Sequence, residues 1–426
     1  MHETIEIAGS GKRGVVVAGG GQAGFQVAAS LRQGGYDGPV TIVAEEPRLP
    51  YQRPPLSKTY IKTEAAFDSL LLKPEGFYEK NAISVLAGVR VESLDRQAGT
   101  VGLTTGESLA YDHLVLAVGA SNRVLAIPGH ELAGVHQLRT AAEAEHLRAG
   151  LADATRVVIV GGGFIGLEVA AALRALEKQV TVVEAADRLM GRTVSREVSR
   201  FFLQEHRKMG TEIRLGSAVA AVLGADRARV VRLSDGEELA ADLVLIAAGV
   251  TPNDRLAGEA GLATENGVLV DHHMATADPR IFAIGDCAAF HSPFAERLVR
   301  LESVQNAVDQ AKLVAARIIA GDASAAIPPY RAVPWFWSDQ GPFKLQIVGL
   351  TAGADHVEMA SLGEAGKLVA YCFKGDRLLG IETVNRPGEH MLGRRILADD
   401  LVVARSDVAR DDFDLKAHVA ALKRSD

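Results

Sequence analysis

Apolar residues in this chain gather into short unbroken runs that end on glycine. Gly14-Val15-Val16-Val17-Ala18 leads into Gly19-Gly20-Gly21-Gln22-Ala23-Gly24, and 142 residues later Arg156-Val157-Val158-Ile159-Val160 leads into Gly161-Gly162-Gly163-Phe164-Ile165-Gly166. A run of β-branched residues without polar alternation, closed by turn residues, predicts a strand buried on both faces. Each glycine turn opens an alanine-rich helical stretch, Gln26 to Arg32 in the first copy and Leu167 to Leu176 in the second. A second apolar strand follows in each, Val40 to Val43 and Val180 to Val183. Strand, helix and strand written twice imply a parallel sheet in each copy.

The copies also close alike. Tyr111-Asp112-His113-Leu114-Val115-Leu116-Ala117-Val118-Gly119 matches Ala241-Asp242-Leu243-Val244-Leu245-Ile246-Ala247-Ala248-Gly249, and a third such strand runs from Arg280 to Ile284 before Gly285-Asp286. Beyond Pro328-Pro329 the texture changes. Segments Phe343 to Val348, Lys367 to Phe373 and Arg377 to Thr383 alternate with turns such as Lys374-Gly375-Asp376, which predicts a C-terminal domain with an antiparallel sheet. Residues 399–426 are rich in charge and are expected to form a solvated tail with one amphipathic helix.

Composition narrows the function. A net charge of −7 disfavours nucleic acid as a partner, because that partner needs a clustered basic face. Two cysteines, Cys287 and Cys372, exclude a disulfide scaffold and leave a cysteine-ligated zinc or iron–sulfur site short of thiolates. No metal is expected: among the histidines only His272-His273 are paired, and neighbours on a strand point to opposite faces. The N-terminus carries Glu3 and Glu6 without an apolar signal core, and no apolar run approaches ~20 residues. The expectation is a cytoplasmic protein that does not span a membrane.

Both glycine turns fit G-x-G-x-x-G in the strand-then-helix context that gives the motif meaning. The first glycine permits the tight turn, the second lets a pyrophosphate approach the backbone, and the third packs helix on strand. The helix N-terminus then presents free N–H groups to the phosphates. An acid should close the second strand and bind the adenosine ribose. Glu184 does so directly in the second copy and favours the free 2′-hydroxyl of NADH, with Arg188 near enough in sequence to soften that preference. In the first copy Ala44 holds the matching place and the acid comes one residue later, as Glu45. Asp286, expected at the end of a third apolar strand just before a helix, suits a long ligand that crosses the sheet, as the ribityl chain of FAD does. FAD is therefore assigned to the first copy and NADH to the second.

Tyr51-Gln52-Arg53-Pro54-Pro55-Leu56-Ser57-Lys58, Gly163-Phe164-Ile165-Gly166-Leu167-Glu168, Gly285-Asp286-Cys287-Ala288 and Val333-Pro334-Trp335-Phe336-Trp337-Ser338-Asp339-Gln340 together resemble the FAD-containing, NADH-dependent ferredoxin reductases of bacterial cytochrome P450 and aromatic-ring dioxygenase systems. The similarity covers about residues 13–405. It implies an α/β, glutathione-reductase-like fold of two Rossmann-type dinucleotide-binding domains plus a C-terminal α+β domain. The expected division is 1–120 and 249–327 for FAD, 121–248 for NADH and 328–426 for the C-terminal domain. The resemblance implies that Gly19, Gly21, Ala23, Glu45, Arg53, Lys58, Val91, Arg139, Asp286, Val304 and Trp335 contact FAD. It implies Gly163, Ile165, Glu168, Glu184, Arg192 and Gly249 for NADH. Lys58 and Glu168 are implied on the nicotinamide side of the flavin, where a Lys–Glu pair can form.

Such a protein is expected to need no covalent nucleophile, since the cofactor carries the chemistry and the chain supplies orientation and electrostatics. Disulfide reductases of the same fold need a redox-active cysteine pair in the segment that here reads Gln52 to Lys58 without sulfur. Electrons are expected to leave for a docked [2Fe-2S] ferredoxin, and so indirectly for a P450 or dioxygenase. Rubredoxin, ascorbate radical or a quinone are alternative acceptors, and a non-catalytic NADH-sensing flavoprotein is a third reading. Steering of an acidic ferredoxin calls for basic residues, for which Arg297, Arg300, Arg331, Lys344, Arg386, Arg394 and Arg395 are candidates.

Overall fold

The computed structural model describes residues 13–63, 65–360 and 364–422; Glu3, Glu6 and the last four residues of the expected tail lie outside them. The chain divides into two compact units. Of the described residues, one gathers 13–52, 66–121 and 251–332, and the other 53–63, 65, 122–250, 333–360 and 364–422.

The first unit is built on a five-stranded parallel sheet in the order Ile281–Ala283, His113–Leu116, Val15–Ala18, Val40–Ala44, Ile83–Ala87. Val15–Ala18 lies at its centre and is buried along its whole length, as its unbroken apolar run requires. Helix Gln22–Gln33 crosses from this strand to Val40–Ala44, and helix Val304–Ala320 packs beside it. A three-stranded antiparallel sheet, Val91–Asp95, Thr100–Leu103 and Ser108–Ala110, adds Val91, Val101 and Leu103 to the same core.

The second unit repeats the pattern in the order Glu212–Leu215, Gln179–Glu184, Arg156–Val160, Leu243–Ile246, Val135–His136, again all parallel. Helix Phe164–Ala175 makes the crossover. The two helices begin four and three residues before the sequence expectation, because the glycine turns feed into them without an intervening loop. The same unit carries an antiparallel sheet of Trp335–Gln340, Phe343–Gly349, Arg377–Val384, Leu368–Lys374 and His356–Met359, covered by helix Pro387–Ala398.

Two expectations are corrected. The segment after residue 399 is not a solvated tail with one helix. It forms helices Arg405–Val408 and Leu415–Leu422, and Val403, Val408, Leu415 and Val419 are buried with Phe373 and Ile381 of the sheet. The charges that suggested solvation occupy the outer face of a cover whose inner positions are apolar. Asp286, in turn, does not precede an α-helix. It sits in a single 3₁₀ turn, Gly285–Cys287, followed by strand Ala288–Ser292. No helix among the described residues is long and apolar enough to cross a membrane.

Candidate functional site

The first cradle is formed by backbone contacts that only glycine permits. Gly19 has φ +122°, and a Cβ there would stand 2.2 Å from the Ala117 carbonyl oxygen. A Cβ on Gly24 would stand 1.9 Å from Gly19 O, so the helix rests directly on the turn. Around the Cβ position of Gly21, by contrast, nothing lies within 4 Å. Helix Gln22–Gln33 then starts with no side-chain cap and no acidic residue in its first turn. A helix start usually satisfies its orphan N–H groups with a Ser, Thr, Asp or Asn cap, and Thr140, Ser195 and Ser303 do this elsewhere in the chain. The uncapped start with open space before it fits a pyrophosphate.

The second cradle has the same construction. Gly161 has φ +114°, a Cβ on Gly166 would lie 2.1 Å from Gly161 O, and the Gly163 position is open. Helix Phe164–Ala175 is likewise uncapped and without first-turn acid. Ile165 in its first turn is exposed.

The acids differ between copies. Glu184 ends its strand and accepts the Gly162 N–H at 2.7 Å and the Ala186 N–H at 2.8 Å, which sets the carboxylate against the glycine turn. Ala44 occupies that register in the first copy, and a Cβ on Gly20 would meet its methyl at 2.5 Å. Glu45 points outward and is exposed, 3.4 Å from Arg90. The Arg188 guanidinium donates to the carbonyls of Val194 at 2.7 Å and Gly191, so it serves its own loop. Arg192 is exposed, and its Nη2 lies 3.3 Å from where a Cβ on Gly249 would be.

Of the residues expected at FAD, Gly19, Gly21, Ala23, Glu45, Val91, Asp286 and Val304 fall in the first unit, and Arg53, Lys58, Arg139 and Trp335 in the second. Within the first unit the glycine turn and the Asp286 turn converge: a Cβ on Gly285, at φ +73°, would lie 3.3 Å from the Ala23 methyl. Gln310, fully buried, accepts the Gly285 N–H at 2.7 Å, and its Nε2 has no partner among the described residues. Val304 begins the helix that Ser303 caps, and Val91 belongs to the core of that unit. In the second unit Arg53 donates to the Arg139 carbonyl at 2.6 Å. Trp335 packs on the C-terminal core beneath Arg394, whose guanidinium carbon lies 4.8 Å from the ring centroid.

Lys58 and Glu168 meet. Lys58 Nζ lies 2.6 Å from Glu168 Oε2, with the carboxylate side chain 3 % exposed. Ser57 Oγ donates to the same oxygen at 2.5 Å and Ser338 Oγ to Oε1 at 2.8 Å. Behind Ser338 the chain of bonds continues through Gln340 Nε2 at 3.2 Å to His206, whose Nε2 is 2.9 Å from Gln340 Oε1. Burial lowers the His206 pKa, which keeps that ring neutral. Ser57, Ser338, Gln340 and His206 are not among the sequence candidates. The available signal was strand alternation: Ser338 and Gln340 sit two apart, so two polar side chains share one face of a strand that opens on three aromatic residues.

Cys287 takes no part. Cys287 donates to the carbonyls of Ile284 and Leu116, and burial pushes its thiol up to about 11. Among the basic candidates Arg300 is withdrawn, its side chain 8 % exposed and held by Glu302 and the Asp286 carbonyl. Arg386 and Arg395 are paired with Glu389 and Asp399, whereas Arg297, Arg331 and Lys344 are exposed.

Two uncapped glycine cradles on parallel sheets, one with a ribose-side acid, define a class: nucleotide-dependent oxidoreductases with paired Rossmann-type sites. The chain matches the pyridine nucleotide-disulphide oxidoreductase family over residues 13–311 and a reductase C-terminal domain over 335–419. It belongs to that family. It is 47 % identical to rhodocoxin reductase of Rhodococcus erythropolis over 96 % of this chain and 95 % of the relative. Among solved structures it resembles the ferredoxin reductase of the CYP199A2 system from Rhodopseudomonas palustris, at 46 % identity and TM-score 0.91, covering 95 % of this chain and 99 % of that one. It equally resembles a covalent putidaredoxin reductase–putidaredoxin complex, at 38 % identity and TM-score 0.91 over 97 % and 99 %.

Replacing Glu184 tests the ribose assignment. Glu184→Ala should weaken NADH binding by about 1.5–3 kcal/mol, the worth of a hydrogen bond to a charged group, while NADPH loses less or gains. Calorimetric titration with both nucleotides measures this, and a parallel loss for both would remove the assignment.

Proposed function

We propose that the protein passes electrons from NADH, via FAD, to a [2Fe-2S] ferredoxin that supplies a cytochrome P450 or a ring-hydroxylating dioxygenase. The reading rests chiefly on the near full-length likeness to rhodocoxin reductase and to the reductase of the putidaredoxin complex. Two buried thiols and a Gln52–Lys58 segment without sulfur support an exit for electrons other than a cysteine pair. FAD, when bound, takes a hydride from NADH and releases the electrons singly. The domain division 1–120, 121–248, 249–327 and 328–426 is part of the proposal, supported by the parallel sheet that 1–120 and 249–327 share and by the separate sheets of 121–248 and 328–426. So is a cytoplasmic location, where NADH is supplied.

In this reading the first cradle, with Gly19, Gly21, Ala23 and Asp286, binds FAD. Gly163, Ile165, Glu184, Arg192 and Gly249 bind NADH. Lys58 brings positive charge to the reacting side of the flavin, and Glu168 orients the nicotinamide amide. Three donors on a nearly dry carboxylate hold its direction before any ligand arrives, which is the form of preorganisation that electrostatic catalysis needs.

Two measurements follow. Turnover with NADH should be fastest with a [2Fe-2S] ferredoxin, slower with rubredoxin or a quinone, and should fall as salt is raised; equal rates with all acceptors would overturn the assignment of the partner. Lys58→Ala should slow flavin reduction in anaerobic stopped flow by roughly 10²-fold, and an unchanged rate would reject its role.

A further inference from the structure

The loop from Glu184 to Ser195 carries Arg192 and joins the ribose-side carboxylate to helix Arg196–Lys208. Its first half is tied to the glycine turn: Met190 N–H donates to Gly162 O at 2.9 Å and Ala186 N–H to Glu184. Its far end is tied to the C-terminal sheet. Glu382, on strand Arg377–Val384 and wholly buried, accepts the Ser195 N–H at 3.0 Å to each oxygen, the Ser195 hydroxyl at 2.6 Å and the Thr351 hydroxyl at 2.7 Å. The Thr351 hydroxyl also lies 3.2 Å from Thr193 O. Ser195 in turn caps the helix by accepting the Val198 N–H at 3.3 Å.

A carboxylate with no solvent contact is costly to bury, and a well-packed apolar residue in its place is often as stable or more so. Stability alone therefore gives little reason for an acid here. What Glu382 provides and an apolar residue cannot is direction: three contacts fix the backbone N–H and hydroxyl of Ser195, three residues from Arg192, and a fourth holds Thr351. We propose that Glu382, assisted by Thr351, is a positioning residue for NADH. It locks the end of the Glu184–Ser195 loop so that Arg192 stands over Gly249 before the nucleotide binds. The C-terminal sheet then sets affinity for NADH without touching it. This inference rests on the assignment of the loop to NADH.

The test uses flavin-loaded protein, calorimetric binding of NAD⁺ and ferricyanide turnover with NADH. Glu382→Gln keeps shape but weakens the contacts; Kd for NAD⁺ and KM for NADH should each rise about tenfold, a modest effect for a misplaced positioning group. kcat should stay within about twofold, and the flavin spectrum and content should not change. Arg192→Ala should raise KM to a similar extent, and the double variant should be no worse than Arg192→Ala alone, because both act through one side chain. Wild-type Kd and KM in Glu382→Gln, whatever its melting temperature, would overturn the proposal, as would full additivity in the double variant. If Arg192→Ala itself leaves KM unchanged, the NADH assignment of the loop fails and this inference with it. Should Glu382→Gln not fold, Thr351→Val carries the same test: a raised KM at constant kcat supports the proposal and a wild-type KM overturns it.

Discussion

Close contact between a helix and the turn that launches it governs this protein. Where Gly24 rests on Gly19 O, and Gly166 on Gly161 O, no side chain fits between helix and strand. The helix N-terminus is therefore pressed to the edge of its sheet with its first N–H groups uncapped. Orphan donors at a helix start are a cost unless something accepts from them. The helices that begin at Ala141, Arg196 and Val304 meet that cost with a Thr or Ser of their own. At these two the space before the helix is open at Gly21 and Gly163, which fits an anion as the acceptor.

Around that frame the polar interior of the second unit is arranged for direction more than for stability. Glu168 holds Lys58, Ser57 and Ser338, while Glu382 holds Ser195 and Thr351. Both are buried carboxylates, and both are satisfied by donors from distant parts of the sequence. Removing Lys58 would leave the Glu168 charge buried without its cation, a change that typically costs about 3–5 kcal/mol in a buried ion pair. Rigidity of the groups these carboxylates hold is the return on that vulnerability.

The parallel sheets, the glycine turns and the strand-end acid were legible because each is local: a β-branched run, a G-x-G-x-x-G and Glu184 within about thirty residues. The inequality of the two acids was legible too, and the register of Ala44 against Gly20 gives its physical cause. The supporting network was not legible. Ser57 and His206 are ordinary residues until folding brings them to Glu168 and Gln340, and no spacing rule joins them to the alternation of Ser338 and Gln340. The cover formed by Val408, Leu415 and Val419 was missed for the opposite reason: a thin apolar stripe was outweighed by the surrounding charge. Val91 belongs to the core of the first unit and Trp335 packs against that of the second, so only the resemblance assigns them to FAD.

The claim that two glycine cradles bind two different nucleotides and let electrons pass between them is tested most directly by anaerobic titration of the flavin-loaded protein with NADH, followed by the visible absorbance of the flavin. The account predicts full bleaching at one NADH per flavin, with NADPH needing a far higher concentration. A polypeptide that takes up no flavin on reconstitution, or a bound flavin that stays oxidised in excess NADH, would contradict it.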